Sequence, residues 1–392
     1  MRDKRIDSAT ELVQAATSFY LAALRDPIGL TSHMMSTWSA VMSSFMGQSD
    51  LKPARDDKRF RDPIWSSNPT YRTLMNTYLA LSQGMEKWVD SLDLDERNKL
   101  RVKLLTSIVS DAISPTNTIL GNPSAAKATF EQGGQNLVAG FQNFIGDMTT
   151  NNGLPSMVDK TKFQVGKNLA LSPGKVVYRE AHLELLQYAP RTENVYAHPI
   201  FIVPPQINKF YIWDLAPGRS TIEYLTKLGH QVFIVGWRNP GPEQADWDFE
   251  SYIHALDRAS EAACEISGSD ELQVVGACSG GITAAMLLAL WGAKGINRAA
   301  SFSLFVAILE VDRAKTTTLG LFANLETLEL AKLFSRSKGV LEGKDLERAF
   351  AWLRPNDLIW AYWVNNYLLG NAPPAFDILF WNADTTNLPA GL

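Results

Sequence analysis

The sequence predicts an α/β protein: a parallel sheet wrapped by helices, with a helical domain before it and a further helical region after it. Three observations carry this. Residues 1–160 show helical periodicity and no strand pattern. From Phe163 to about Glu310, short β-like runs alternate with helix-like runs, as in successive βα units. Leu272–Val275 then leads through Gly276-Ala277-Cys278-Ser279-Gly280-Gly281 into an apolar run that reaches Leu290, a strand-turn-helix with a thiol at the turn.

In the first domain, residues 7–48 are expected to be helical and amphipathic, with Leu12, Ala16, Phe19 and Ala23 on one face at i, i+4, i+7, i+11 spacing. A packed helix pair is the plain reading, and an oligomer contact the functional one. Pro53, Pro63 and Pro69 make residues 49–70 a connector that cannot be one helix. Tyr71–Ser91 and Leu94–Ala112 return to helical pattern; in the second, Leu100, Leu104 and Val109 are expected inward, beside solvated Arg97, Arg101 and Lys103. Helices interrupted at Ser114-Pro115 and Asn122-Pro123 run to about Asp147, and the polar stretch to Lys160 is the boundary.

The second domain, residues 161–310, carries expected strands at Val176–Tyr178, Leu183–Leu186, Pro199–Val203, Val232–Val235, Leu272–Val275 and Phe302–Leu309. Between them lie helices at Ser220–Leu228, Ser251–Ile266 and Gly280–Trp291, the first two closed by Gly229 and Gly268. Right-handed crossovers put the strand C-terminal ends, Cys278 included, along one edge of the sheet. In residues 311–392 the alternation stops. Thr316–Ser335 and Lys344–Leu353 read as helices, and Leu353–Trp381 is rich in aromatic residues.

Composition narrows the function. A chain of 392 residues with 46% hydrophobic and 20% charged residues is globular rather than disordered. A net charge of -4 gives no reason to expect nucleic acid or an anionic membrane as partner. Two cysteines, Cys264 and Cys278, make no disulfide framework and fit a reducing, cytoplasmic compartment. No signal-peptide core follows the charged N-terminus, and the longest apolar runs fall far short of the roughly 20 residues of a transmembrane span. Eleven Trp and eighteen Phe fit an apolar substrate or an oily surface as well as they fit a large core. No cofactor or metal is expected.

The chemistry centres on Cys278. A strand, a G-x-C-x-G turn and a helix form the nucleophile elbow of α/β-hydrolase-like proteins, with cysteine where serine usually stands. Gly276, Ala277, Gly280 and Gly281 suit a turn that strains the nucleophile's backbone, and the helix N-terminus favours negative charge beside the thiol. Cys264, among Ala262, Ala263 and Ile266, reads as core packing. An oxyanion hole needs two N–H donors. One is expected from Ser279. The other should come from the loop Pro204-Pro205-Gln206-Ile207-Asn208-Lys209, where the prolines have no N–H and Gln206 or Ile207 is the candidate. The base is missing. His33, His182, His198, His230 and His254 all precede Cys278, whereas this fold places its histidine after the nucleophile. His230 enters a strand at the wrong edge and His254 lies in a helix, so neither is expected to substitute. The expectation is therefore a C-terminally truncated enzyme with an incomplete sheet. The aromatic helical segment after the nucleophile has the pattern of a lid, or otherwise of a plain helical subdomain.

Longer motifs carry a resemblance over nearly the whole chain. They are Arg59-Phe60-x-Asp62-Pro63-x-Trp65-x-x-Asn68-Pro69, Pro204-Pro205-Gln206-Ile207-Asn208-Lys209-Phe210-Tyr211, Trp237-Arg238-Asn239-Pro240, the Cys278 elbow, Leu353-Arg354-Pro355-Asn356-Asp357-Leu358-Ile359-Trp360 and Phe376-Asp377-Ile378-Leu379-Phe380-Trp381-Asn382. In these the chain resembles the polyhydroxyalkanoate synthases, polyester polymerases of bacterial storage granules. Gln206 and the stretch 339–350 resemble the class II branch, which takes medium-chain monomers. The resemblance implies an acyltransferase in which Cys278 attacks an (R)-3-hydroxyacyl-CoA, expels CoA and passes the acyl group to a hydroxyl of the polyester chain. It also implies a granule surface and a second copy, as a homodimer, as partners, with an aspartate and a histidine beyond this chain completing the triad. Gly236 and Ser279 depart from the commoner serine and alanine of the family without removing a group the chemistry needs. Two other readings compete: a thioesterase that releases the acyl group to water, and a non-catalytic granule-associated protein.

Overall fold

The computed structural model describes residues 8–310, 312, 317, 320, 321 and 325–392. The chain forms two compact units. One comprises Met1–Met157, Asp312–Leu328 and Phe350–Pro374; the other comprises Val158–Val311, Glu329–Ala349 and Ala375–Leu392.

The first unit is helical: α1 (Ser8–Arg25), α2 (Pro27–Phe45), α3 (Pro69–Ser91), α4 (Glu96–Ala112), α5 (Pro123–Glu131) and α6 (Gln135–Thr150). The expected N-terminal helical run is two helices, divided where Asp26 accepts a 2.8 Å bond from the Gly29 N–H and Pro27 opens α2. Asn68-Pro69 and Asn122-Pro123 open α3 and α5 by the same cap-and-proline arrangement, so these prolines start helices rather than merely ending them. On α1, Ala23 is buried and Phe19 lies edge-on to Trp88 at 5.0 Å, whereas Ala16 is exposed; the side chain of Leu12 lies outside the described residues. On α4 the expected inward face needs correction. Val102 is the buried residue and Val109 is 60% exposed. The two share a face, but that face borders an open apolar cavity of about 1080 Å³ walled also by Val41, Met85 and Leu105, so Val109 meets space instead of a neighbouring helix. Residues Phe350–Pro374 complete this unit through two π-helical turns. There the Tyr367 hydroxyl donates to buried Asp147 at 2.7 Å, and Asn136 donates to the Leu368 carbonyl at 2.7 Å.

The second unit is built on a six-stranded sheet: β1 (Gly174–Arg179), β2 (Leu183–Tyr188), β3 (Ile200–Val203), β4 (Val232–Trp237), β5 (Leu272–Ala277) and β6 (Ala299–Phe305). The order is β1-β2-β4-β3-β5-β6. β1 with β2 and β2 with β4 pair antiparallel; β4 with β3, β3 with β5 and β5 with β6 pair parallel. β3 and β4 are buried along their whole length, which is why they read as continuous apolar runs. Their side chains alternate between two cores. Phe201, Val203, Phe233 and Val235 pack with Tyr252, Leu256, Leu287 and Trp291, from helices α8 (Phe249–Ser267) and α9 (Ser279–Lys294). Ile200, Ile202, Val232 and Ile234 face Ile222 of α7 (Thr221–Lys227).

The last expected strand is displaced. It runs Ala299–Phe305 rather than 302–309, because Val306 takes a left-handed conformation (φ 46°) that ends the ladder with β5. The helix expected at 316–335 is seen as Leu325–Lys338, with most of 311–324 outside the described residues, and Gly343–Leu353 follows. Among the described residues no helix is long and apolar enough to cross a membrane.

Candidate active site

Cys278 stands between β5 and α9 with φ 50° and ψ −125°, a conformation that L-residues rarely adopt and that costs roughly 1–3 kcal/mol. Close packing maintains it. The Cys278 N–H donates to the Phe305 carbonyl at 2.9 Å, tying the turn to the end of the next strand. A Cβ on Gly276 would come within 2.6 Å of the Gly281 Cα, and one on Gly280 within 2.2 Å of the Pro204 carbonyl oxygen. Only glycine lets the strand, the turn and the loop after β3 come this near. The cysteine is exposed, and its sulfur makes no hydrogen bond among the described residues. Cys264, by contrast, is half-buried against the core of α8 and the sheet, and burial pushes its thiol up.

The loop after β3 is held from several directions. The Pro204 carbonyl accepts from the Trp237 indole at 2.7 Å. Gln206 is buried and meets the first turn of α9: the Ser279 hydroxyl donates to Gln206 Oε1 at 2.7 Å, the Gln206 N–H points at Ser279 Oγ at 3.3 Å, and Gln206 Nε2 donates to Thr283 Oγ1 at 2.8 Å. The Thr386 hydroxyl donates to the Gln206 carbonyl, and the Thr386 N–H to the Ile207 carbonyl at 2.9 Å. The Ile207 N–H has no partner among the described residues. Farther along, the Trp381 indole donates to the Lys209 carbonyl at 2.7 Å. The Tyr211 hydroxyl donates to Asp384 at 2.8 Å, and burial together with that carboxylate pushes this phenol up. Leu304 and Phe305 are partly exposed at the end of β6, and Trp213 lies edge-on to Phe305 at 5.8 Å, so the strand end beside the cysteine is apolar.

The structure thus joins Cys278, Ser279 and Gln206 in one constellation, with Ile207 next in the same loop. No histidine of the second unit is hydrogen-bonded to the cysteine. His182 stacks on Trp247 at 4.0 Å, His198 pairs with Ser269, His230 packs on Tyr196, and His254 lies beside Glu250 on α8. Sequence reasoning missed Thr283 and Thr386, and named Trp237 in a family motif without its partner, the Pro204 carbonyl. Thr283 left a faint signal, a hydroxyl one turn after Ser279 inside an otherwise apolar run. Thr386 left none, since only the fold brings it to Gln206. Among the described residues no cluster of His, Cys, Asp and Glu is placed to hold a metal ion.

A strained cysteine between a parallel strand and a helix, on a sheet of this order, is the architecture of the α/β-hydrolase fold, and the profile described as "alpha/beta hydrolase fold" matches residues 199–392. The profile described as "Poly-beta-hydroxybutyrate polymerase (PhaC) N-terminus" matches residues 56–225. The chain is 46% identical over 380 residues to poly(3-hydroxyalkanoate) polymerase 1 of Ectopseudomonas oleovorans, covering 97% of this chain and 67% of that protein. It is 44% identical to polymerase 2 of the same organism, covering 97% of this chain and 68% of that protein. Against the poly(3-hydroxyalkanoate) polymerase subunit PhaC of Cupriavidus necator the identity is 38%, covering 90% and 60%. The chain belongs to the poly(3-hydroxyalkanoate) polymerase family, a family of acyltransferases, and spans about two thirds of the length of these relatives.

Proposed function

We propose that the chain polymerises (R)-3-hydroxyacyl groups from CoA thioesters into polyester through an acyl thioester on Cys278. The observation that carries this is the cysteine's strained, exposed position at the N-terminus of α9, facing a loop with an unpartnered N–H. The thiolate attacks the thioester carbonyl, a C–S bond forms, and the carbonyl electrons move onto oxygen. The Ser279 N–H, at the first helical position and without an intrahelical acceptor, and the Ile207 N–H stabilise that oxyanion. Collapse breaks the bond to CoA, whose thiolate leaves and takes up a proton. A hydroxyl oxygen of the growing chain then attacks the acyl carbon, losing its proton, and the Cys278–acyl bond breaks. A thiol suits this exchange because its acyl derivative stays activated toward an alcohol.

Medium-chain monomers are the proposed substrates. The support is the class II resemblance of Gln206 and the higher identity to the two Ectopseudomonas polymerases than to the Cupriavidus protein. The apolar strand end at Leu304 and Phe305 suits such a side chain. The aromatic segment 353–381 is proposed to act as the lid, and a granule surface and a second copy are proposed partners. The deciding experiment supplies 3-hydroxyoctanoyl-CoA and 3-hydroxybutyryl-CoA, follows free CoA, and analyses protein and product by mass spectrometry. The expected result is an acyl adduct on Cys278 and oligomeric ester, faster with the longer substrate. Free 3-hydroxy acid as the sole product would replace the polymerase with a thioesterase.

A further inference from the structure

Between the loop after β3 and the first turn of α9 runs a closed ring of hydrogen bonds. The Thr283 hydroxyl donates to the Ser279 carbonyl at 3.0 Å, so Thr283 Oγ1 can only accept from Gln206. That fixes the carboxamide: its NH2 faces Thr283 and its oxygen faces Ser279. The Ser279 hydroxyl is then fixed too, donating to Gln206 Oε1 and standing in front of the Gln206 N–H. Gln206 and Thr283 are buried, at 4% and 0% exposure, so water does not compete for these bonds.

We infer that this ring is a clamp that sets the oxyanion site, with Thr283 and the side chains of Gln206 and Ser279 as positioning groups. The ring reserves the Gln206 N–H for the Ser279 hydroxyl and leaves the Ile207 N–H for the substrate. It also fixes the spacing between the Ile207 and Ser279 N–H groups, because the loop is bonded to the helix that carries the second donor. This deepens the acyl-transfer reading and rests on it, since only a reaction that builds an oxyanion at Cys278 uses the spacing.

Two reagents separate the clamp from the thiol. A medium-chain alkyl trifluoromethyl ketone adds to the Cys278 sulfur and turns its carbonyl oxygen into an oxyanion. Iodoacetamide alkylates the same sulfur by displacing iodide and makes no oxyanion. Thr283→Val keeps the shape and deletes the hydroxyl; the expected result is a ketone adduct weakened about 10-fold with the alkylation rate within about two-fold of wild type, and Thr283→Ser restoring the ketone affinity. Gln206→Met should repeat the loss. Unchanged ketone binding in Thr283→Val, a parallel fall in both reagents, no rescue by serine, or no adduct in the wild type overturns the clamp. If the ketone follows this pattern but no polyester forms, the clamp stands and the polymerase reading falls. If polyester forms and Thr283→Val binds the ketone like wild type, the reverse holds.

Discussion

The sheet unit and the helical unit hold their polar groups by different means. Around Cys278 the backbone itself makes the site. A strained residue, Gly280 packed against the Pro204 carbonyl, and hydroxyls at one-turn spacing set the turn, and the loop after β3 closes over it. In the helical unit the work falls to side chains that reach across the sequence. Arg59 bonds Asp57 at 2.9 Å, Asp111 at 3.1 Å, Tyr78 at 2.9 Å and Asn356 at 3.3 Å, joining three distant stretches. Tyr367 reaches Asp147 in the same manner. A site made by backbone is sensitive to any added atom; a unit made by side-chain pairs is sensitive to any lost one.

The largest expected effect is at the elbow. Cys278→Ala should reduce CoA release to background, a loss of about 1,000-fold or more, and persistent turnover would remove the nucleophile assignment. Next comes the helical unit. Burial pushes the Asp111 carboxyl up, against the pull of Asn356 and Arg59. Arg59→Met strands the partly buried carboxylates of Asp57 and Asp111 and should cost about 3 kcal/mol in denaturant unfolding. The loss should be greater near pH 8 than near pH 5, since acid can neutralise the stranded Asp111 carboxylate, which burial already pushes up. An equal loss at both would mean that the guanidinium acts by packing alone. Gly280→Ala tests the opposite sensitivity: its Cβ must displace the Pro204 carbonyl, so about 2 kcal/mol of stability should go. Most of the acylation rate should go with it. A variant as stable and active as wild type would show that the loop gives way freely.

The smallest effect concerns His182. Burial lowers its pKa from the ordinary 6.5, Glu180 opposes this, and its Nε2 has no hydrogen-bond partner among the described residues. The folded state therefore resists a proton that the unfolded state accepts. Stability on this account is intact above pH 6.5 and falls as the pH drops below it toward the lowered folded value. His182→Phe should flatten that decline by under about 1 kcal/mol near pH 5. An unaltered acid limb in thermal melts would assign the decline to other groups.

Much of the sheet unit was legible because its signals are local. Continuous apolar runs at Ile200–Val203 and Val232–Val235, closing glycines at 229 and 268, and small residues around Cys278 each act within a few positions of themselves. Strand ends were less legible. β6 stops where Val306 turns left-handed, and a β-branched residue carries no sequence sign of that conformation. The outward Val109 was misplaced because helical periodicity gives a face but not what lies opposite it.

By itself, then, the sequence determined the α/β class, the strand-turn-helix that carries Cys278 and the loop that meets it, since strand pattern, turn sterics and proline's missing N–H are properties of neighbouring residues. Only the tertiary structure decided which N–H of that loop is free, that Thr283 and Thr386 serve it, and that residues 350–374 build the helical unit. Those outcomes depend on distances between segments far apart in the chain, and such distances exist only once both cores have closed.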